Sequence, residues 1–299
     1  DNQQNLEGSM TEIAETKMAE LPGSEPYRKK SVDMKRLTAI EKKSRSGGKL
    51  NKDDLVFLYE LDEPIEGFGY ERDPRIEELR KTRNPEEDMP VVFDCAKEEI
   101  ARNINEINEQ TKVYVGPLES GIFQKLPENI EHIYTSFPGK RIRQEKIEIG
   151  GRSAEELERE LEEARINISS YAKEMLRSLD FKTSKSVEEV KAVRLRVSDL
   201  GFTSYATTDQ IYERAKKLGL ELCPAEVGPH YRLKYKNQSM SERFYIGMKP
   251  ISDSRGGPDV FKLERDAGGL WLFVGWVGPG LEWDLEDVFV FRKSASGER

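Results

Sequence analysis

The chain has 299 residues, of which 35% are charged and 36% hydrophobic, with a net charge of −8 and a pI near 5.3. Its longest uncharged run, residues 267–281, covers 15 positions, short of the roughly 20 apolar residues that span a bilayer, so no membrane partner is expected. Two Cys and two His are too few for a disulfide framework, and no Cys/His zinc cage is expected from them.

Residues 1–49 are polar and punctuated by Pro22, Gly23, Pro26 and Gly47-Gly48. They read as a disordered arm with at most a short helix near Thr11 to Leu21. Between Arg28 and Lys49, nine basic side chains face only Asp33 and Glu41, a local excess of +7 that leaves −15 for the rest. Nucleic acid is expected as a partner only through this 28–49 segment, where each phosphate contact is weak and salt-sensitive. A solvated basic arm is the simpler expectation.

Residues 50–200 read as an α/β domain with a helical C-terminal part. Asn51 is placed to cap a helix that buries Leu55, Leu58 and Tyr59. Asp73 and Pro74 open a second helix, with Glu77 and Glu78 early, Arg80, Lys81 and Arg83 late, and Asn84-Pro85 as its stop. Residues 90–94 read as a short buried strand, 97–110 as a helix burying Ile100, Ile104 and Ile107, and 111–116 as a second strand. That order implies a parallel crossover. Strands are expected over 130–137 and 144–149. Ser153 with Glu156 forms a capping box ahead of Leu157 and Leu161, and Ser169 or Ser170 starts a helix through Met175 and Leu176. Ser186 with Glu189 starts another through Val190, Val193 and Val197, ended by Gly201.

Residues 201–293 read as a helix plus a small antiparallel β-rich module, followed by a flexible tail over 294–299. The helix begins near Thr207 or Thr208 and ends at Gly219. Strands are expected over 231–235, 244–248, 260–263, 270–274 and 288–291, separated by Gly/Pro turns. The expected fold class is α+β: an α/β sheet with helices in the middle of the chain, then the antiparallel module.

Three stretches carry a resemblance: Leu58 to Tyr70, Glu131 to Pro138 and Leu220 to His230. The chain resembles hypothetical proteins of metagenome-derived candidate bacterial phyla over roughly residues 51–293, and its last hundred residues look like a module that also occurs in other contexts. The resemblance implies a bacterial, cytoplasmic origin and carries no functional residue. Independently, the first 27 residues lack the apolar stretch of a secretion signal, and the unpaired Cys95 and Cys223 fit a reducing interior.

Cys223, Glu226 and His230 form the tightest reactive trio, a thiol and an imidazole with a carboxylate to orient it. The rigid setting of Pro224, Gly228 and Pro229 favours a buried structural cysteine instead. Asp94 and Cys95 end an expected parallel strand, the place where open α/β sheets hold ligands, but no glycine fingerprint follows. Gly150-Gly151-Arg152-Ser153 precedes a helix crowded with glutamates, which leaves little room for an anion. Asp253 and Asp259 flank a glycine turn at a spacing no EF-hand uses. No cofactor and no metal are expected.

Trp271, Trp276 and Trp283 are the only tryptophans, with Tyr245 among the aromatics around them. Trp271 is expected to point inward. Trp276 and Trp283, beside Gly278-Pro279-Gly280, are the expected exposed anchors, with Tyr245 as a third binding residue. The functional expectation is a non-enzymatic cytoplasmic binding protein with a protein partner. The alternative is a cytoplasmic hydrolase or transferase using the thiols or carboxylates named above.

Overall fold

In the computed structural model, residues 25–68, 71–240, 242–252, 254 and 256–294 are described, and the chain divides after Ile100 into two units. The short helix expected near Thr11 to Leu21 lies outside the described residues, as do Asp253 and, past Ser294, the expected tail.

The first unit is helical. Where a flexible arm was expected to residue 49, Glu25–Arg45 is helix α1. Leu37 and Ile40 are buried, an i,i+3 pair that gives the polar segment an apolar stripe. Its basic residues are largely partnered: Lys29 with Asp33 at 2.8 Å, Lys43 with Asp54 at 2.6 Å, and Arg36 over the Phe57 ring at 4.6 Å. α2 (Lys52–Leu58) carries the expected Asn51 cap, completed as a capping box by Asp54. α3 (Pro74–Lys81) starts at the Asp73 cap. Residues 90–94 are not a strand. Asn84 caps a further helix, α4 (Pro85–Phe93), with Pro85 in its first turn and Asp94 ending it at φ 52°. The Asn-Pro pair expected to stop one helix also starts the next.

The expected helix over 97–110 is replaced by a single 3-10 turn (Lys97–Glu99) and β1 (Ile100–Ala101), then turns. Asn103 accepts from the Asn105 N–H at 3.0 Å, and Asn108 from the Gln110 N–H at 2.8 Å. These local bonds compete with helix formation. A parallel crossover does form one element later: β2 (Val113–Val115) pairs in parallel with β3 (His132–Tyr134), joined through α5 (Ile122–Lys125).

The second unit is built on a long mixed sheet, so the molecule belongs to the α+β class. Beyond β3 its strands are β4 (Arg141–Ile149), β5 (Asn167–Ile168), β6 (Glu188–Arg196), β8 (Leu220–Glu221), β9 (Arg243–Ile246), β10 (Ile251–Ser252), β11 (Pro258–Asp266), β12 (Gly269–Trp276) and β14 (Val288–Lys293), with β7 (Ala206–Thr207) in a separate two-stranded sheet. From β3 the order runs β4, β6, β14, β9, β11, β12, β5. β6 occupies the stretch expected as a helix from Ser186 to Val197. It is buried on both faces, so Val190, Ala192, Val193 and Leu195 give no alternation, and their spacing imitates a helix. β14 pairs with β6 through Val290↔Arg194 and its neighbours. A boundary at residue 200 therefore cuts through one sheet, and the C-terminal strands are not a separate module.

Helices α6 (Ala154–Glu163), α7 (Ser170–Leu176) and α9 (Val227–Lys234) lie on one face of the sheet, here the inner face. The Ser153 and Ser169 caps form as expected. α9 includes the stretch Tyr231 to Lys234 that was expected as a strand. Tyr231 and Tyr235 are also an i,i+4 pair, with rings 5.9 Å apart on the side of Phe244, so two periods fit the same residues. On the outer face lies α8 (Thr208–Lys217), capped by Thr207 with Gln210. Its Tyr212 packs edge-on against Phe289 and Phe291. Among the described residues, no helix is long and apolar enough to cross a membrane.

Candidate functional site: the uncovered half of the outer face

Register decides which side chains share the outer face. Tyr245, Lys262 and Phe273 lie in one cross-strand row over β9, β11 and β12, and Arg243, Glu264 and Trp271 form the next. Phe289 continues the first row onto β14. α8 covers the Phe289 and Phe291 end, while Trp271, Lys262, Glu264 and Phe273 remain half-buried. Leu272, of opposite parity, is the residue that points into the core. Trp271 was expected inward and instead faces out.

These half-buried rows are ordered by mutual contacts. Trp271 stacks on Phe273 with centroids 4.7 Å apart at 21°, and its Nε1 donates to Asp266 Oδ1 at 2.8 Å. Lys262 Nζ lies 5.0 Å above the Phe273 ring and 2.6 Å from Glu264. This is a rigid aromatic platform with a paired charge beside it. At the Arg243 end of β9 a groove of 910 Å³ opens, lined by Tyr205, Arg243, Leu285, Asp284, Glu286 and Asp287.

The expected anchors separate. Trp276 is 47% exposed. It sits against Gly257 and Gly278, where a Cβ at Gly278 would come within 1.9 Å of its ring. Trp283 is buried. Its ring lies 4.6 Å from Tyr245 and 4.8 Å from Phe289, and Nε1 donates to Thr208 Oγ1 at 2.9 Å. It is a core residue holding the start of α8 against the sheet, because β12's neighbour in sequence, β13 (Glu282–Trp283), pairs with β7 (Ala206–Thr207). Tyr245 is half-buried at the border between covered and uncovered halves, and burial raises its phenol above the ordinary value.

The reactive trio does not form a nucleophile and base. The Cys223 thiol is buried, lies 3.6 Å from the Val290 carbonyl oxygen, and is pushed up to about 12 by burial. The Glu226 carboxylate accepts backbone N–H bonds from Gly150 at 3.1 Å and Ser184 at 2.8 Å. It ties together two loops where Gly150, at φ 84°, leaves no room for a Cβ beside the Ser186 carbonyl oxygen. His230 is buried, with Nδ1 3.2 Å from Arg152 Nη1 and Nε2 3.6 Å from Glu226. An arginine only donates, so Nδ1 accepts, while Nε2 is buried on the carboxylate side without a hydrogen-bond partner among the described residues. Asp94 and Cys95 lie in the first unit; Asp94 ends α4, exposed, at the left-handed position, and Cys95 is half-buried. They follow a helix rather than the expected strand.

Arg194 is the residue that sequence reading missed. Its guanidinium is buried and lies 4.2 Å from the rings of both Tyr235 and Phe244, and 5.0 Å from that of Tyr231. It donates to Glu145 at 2.7 Å, Glu242 at 3.0 Å and the Tyr231 hydroxyl. Burial works against the charge, but these partners hold it ionised more firmly than usual. The chain fills this aromatic cage with its own cation. Among the described residues, no group of three or more His, Cys, Asp or Glu is placed to hold a metal ion. Compared with protein-family models, curated proteins and solved structures, the chain has no match.

Proposed function

We propose that this is a non-enzymatic binding protein that captures a protein partner on the uncovered half of the outer face. The observation that carries the reading is the ordered aromatic platform Trp271–Phe273, with Lys262 and Tyr245 in register beside it, left open where α8 stops covering the sheet. Ordered aromatics lose little entropy when they bind, which is why such residues dominate interface energetics. The deeply buried Cys223 thiol and the occupied Glu226 carboxylate speak for structural roles at those positions rather than catalysis. The buried, reduced Cys223 thiol fits a reducing, cytoplasmic setting, and we extend the proposal to a bacterial origin on the resemblance described above.

The test is affinity capture from bacterial lysate with the full chain, the Trp271→Ala/Phe273→Ala double variant, and a Leu179→Ala control on an exposed loop. A specific protein retained by the wild type and the control but lost by the double variant is the expected result. Equal retention by all three proteins removes the docking face.

A further inference from the structure

The open half of the outer face ends at β12, and the edge of that strand is unfinished. β5 pairs with it in parallel over only two positions, Trp271↔Asn167 and Leu272↔Ile168. There the chain turns away, because Ser169 donates its N–H to the Leu272 carbonyl oxygen at 3.1 Å and caps α7. On the other side, the Val277 N–H donates to Pro258 O at 2.8 Å, so odd-numbered backbone groups of β12 face β11. Backbone direction alternates along a strand. The N–H and C=O groups of Val274 and Trp276 therefore point outward, past the end of β5. Among the described residues, neither residue has a hydrogen-bond partner on that side.

In its own sequence the strand also lacks the usual defences of an edge. Strands at sheet edges are normally blunted by charge, proline or a bulge. Gly269–Trp276 contains no charged residue and no proline, and it pairs with β11 without a bulge over eight consecutive positions. Trp276 stands exposed at its end.

We infer that a partner binds as an added β-strand, an extended peptide segment whose backbone pairs with Val274 and Trp276 where β5 leaves the edge of β12. The inference rests on the binding role proposed above and adds how the partner is held. Alternating backbone donors and acceptors on the edge specify an extended backbone as the occupant. The side chains flanking the added strand are Phe273 and Gly275 on the outer face and Val274 and Trp276 on the other. None offers a countercharge, so the segment carries uncharged, β-branched or aromatic residues at its central positions.

The test selects linear dodecapeptides from a random display library on the full chain, then remakes the binders with single backbone N-methyl groups. A paired strand gives an alternating pattern: methylation weakens binding at least tenfold at every second position and much less between them. Val274→Pro removes one outward N–H without touching the β11 ladder, and it is expected to weaken the same peptides at least tenfold. If that variant does not fold, hydrogen exchange in the wild-type chain serves instead, with the Val274 and Trp276 amides slowed by bound peptide. Peptides that bind without the alternating pattern, and without protecting these amides, overturn the strand inference. If they are still lost by Trp271→Ala/Phe273→Ala, the docking face survives that failure. A library that yields no binder also overturns it, as does a dimer of the chain that Val274→Pro dissolves, which would make a second copy the occupant.

Discussion

Replacing Trp283 and Trp276 in turn separates core from surface more sharply than any other pair in the chain. Trp283 is 4% exposed and packs against Tyr245 and Phe289 while its indole N–H holds Thr208. Truncating a buried tryptophan to alanine costs about 4 kcal/mol. The second unit spans Ala101–Arg299, and a domain of this size loses about 2–4 °C in Tm per kcal/mol. Trp283→Ala should therefore melt about 8–16 °C lower than the wild type. Trp276 buries roughly half its ring, chiefly against two glycines, which is worth about 1 kcal/mol and about 2–4 °C. Thermal unfolding followed by far-UV circular dichroism reads both values. Equal losses, or a larger loss for Trp276→Ala, would refute the assignment of Trp283 to the core and of Trp276 to the surface.

Other expectations follow from the buried groups and the sheet. Burial lifts Cys223 to about 12 and raises Tyr212 and Tyr231 above the ordinary tyrosine value. The folded state thus holds these protons more tightly than the unfolded chain. Stability is full below about pH 9 and falls as pH rises, by up to about 1.4 kcal/mol per pH unit for each group, and urea unfolding at rising pH that stays flat would contradict this. The same burial should leave Cys223 unlabelled by iodoacetamide in the native state at neutral pH and labelled after denaturation. Glu226→Gln loses one of two carboxylate–backbone bonds, should cost about 2 kcal/mol, and should speed hydrogen exchange at Gly150 and Ser184, whose unchanged protection would contradict the loop tie. Arg194→Lys keeps the charge but loses the fork between Glu145 and Glu242, so urea unfolding should show a loss of about 2–3 kcal/mol, against under about 0.5 if the cage is incidental. A fragment beginning at residue 201 lacks β4 and β6 and should show no cooperative melt, whereas cooperative unfolding would restore the independent module.

Helix caps were the most legible part of the chain. Asn51, Asp73, Ser153, Ser169 and Thr207 each accept a backbone N–H near the start of their helix, as their residue types imply. The errors fall where one pattern serves two structures. β6 is buried on both faces and so lost the alternation that marks a strand. Tyr231 and Tyr235 satisfy both the strand and the helix period, and only the packing of α9 over Phe244 chooses between them. The stripe of α1 rests on two residues, Leu37 and Ile40, in a run dominated by charge.

The aromatic cluster was visible as composition, but its geometry was not. Trp271 and Trp276 take their facing from the β11–β12 register, while the burial of Trp283 depends on where α8 lies and on a pairing more than 50 residues apart, Trp283↔Ala206. The buried Arg194 gave no local signal at all, since its two carboxylate partners come from β4 and from the turn before β9.

The central claim is that the Trp271–Phe273 platform meets a protein partner. It is tested most directly by placing the photo-crosslinker p-benzoylphenylalanine at Phe273 and, as a control, at the exposed Leu179. Irradiation in a bacterial lysate should give a discrete crosslinked protein from position 273 and none from 179. No adduct from 273, or the same diffuse adducts from both positions, would contradict the claim.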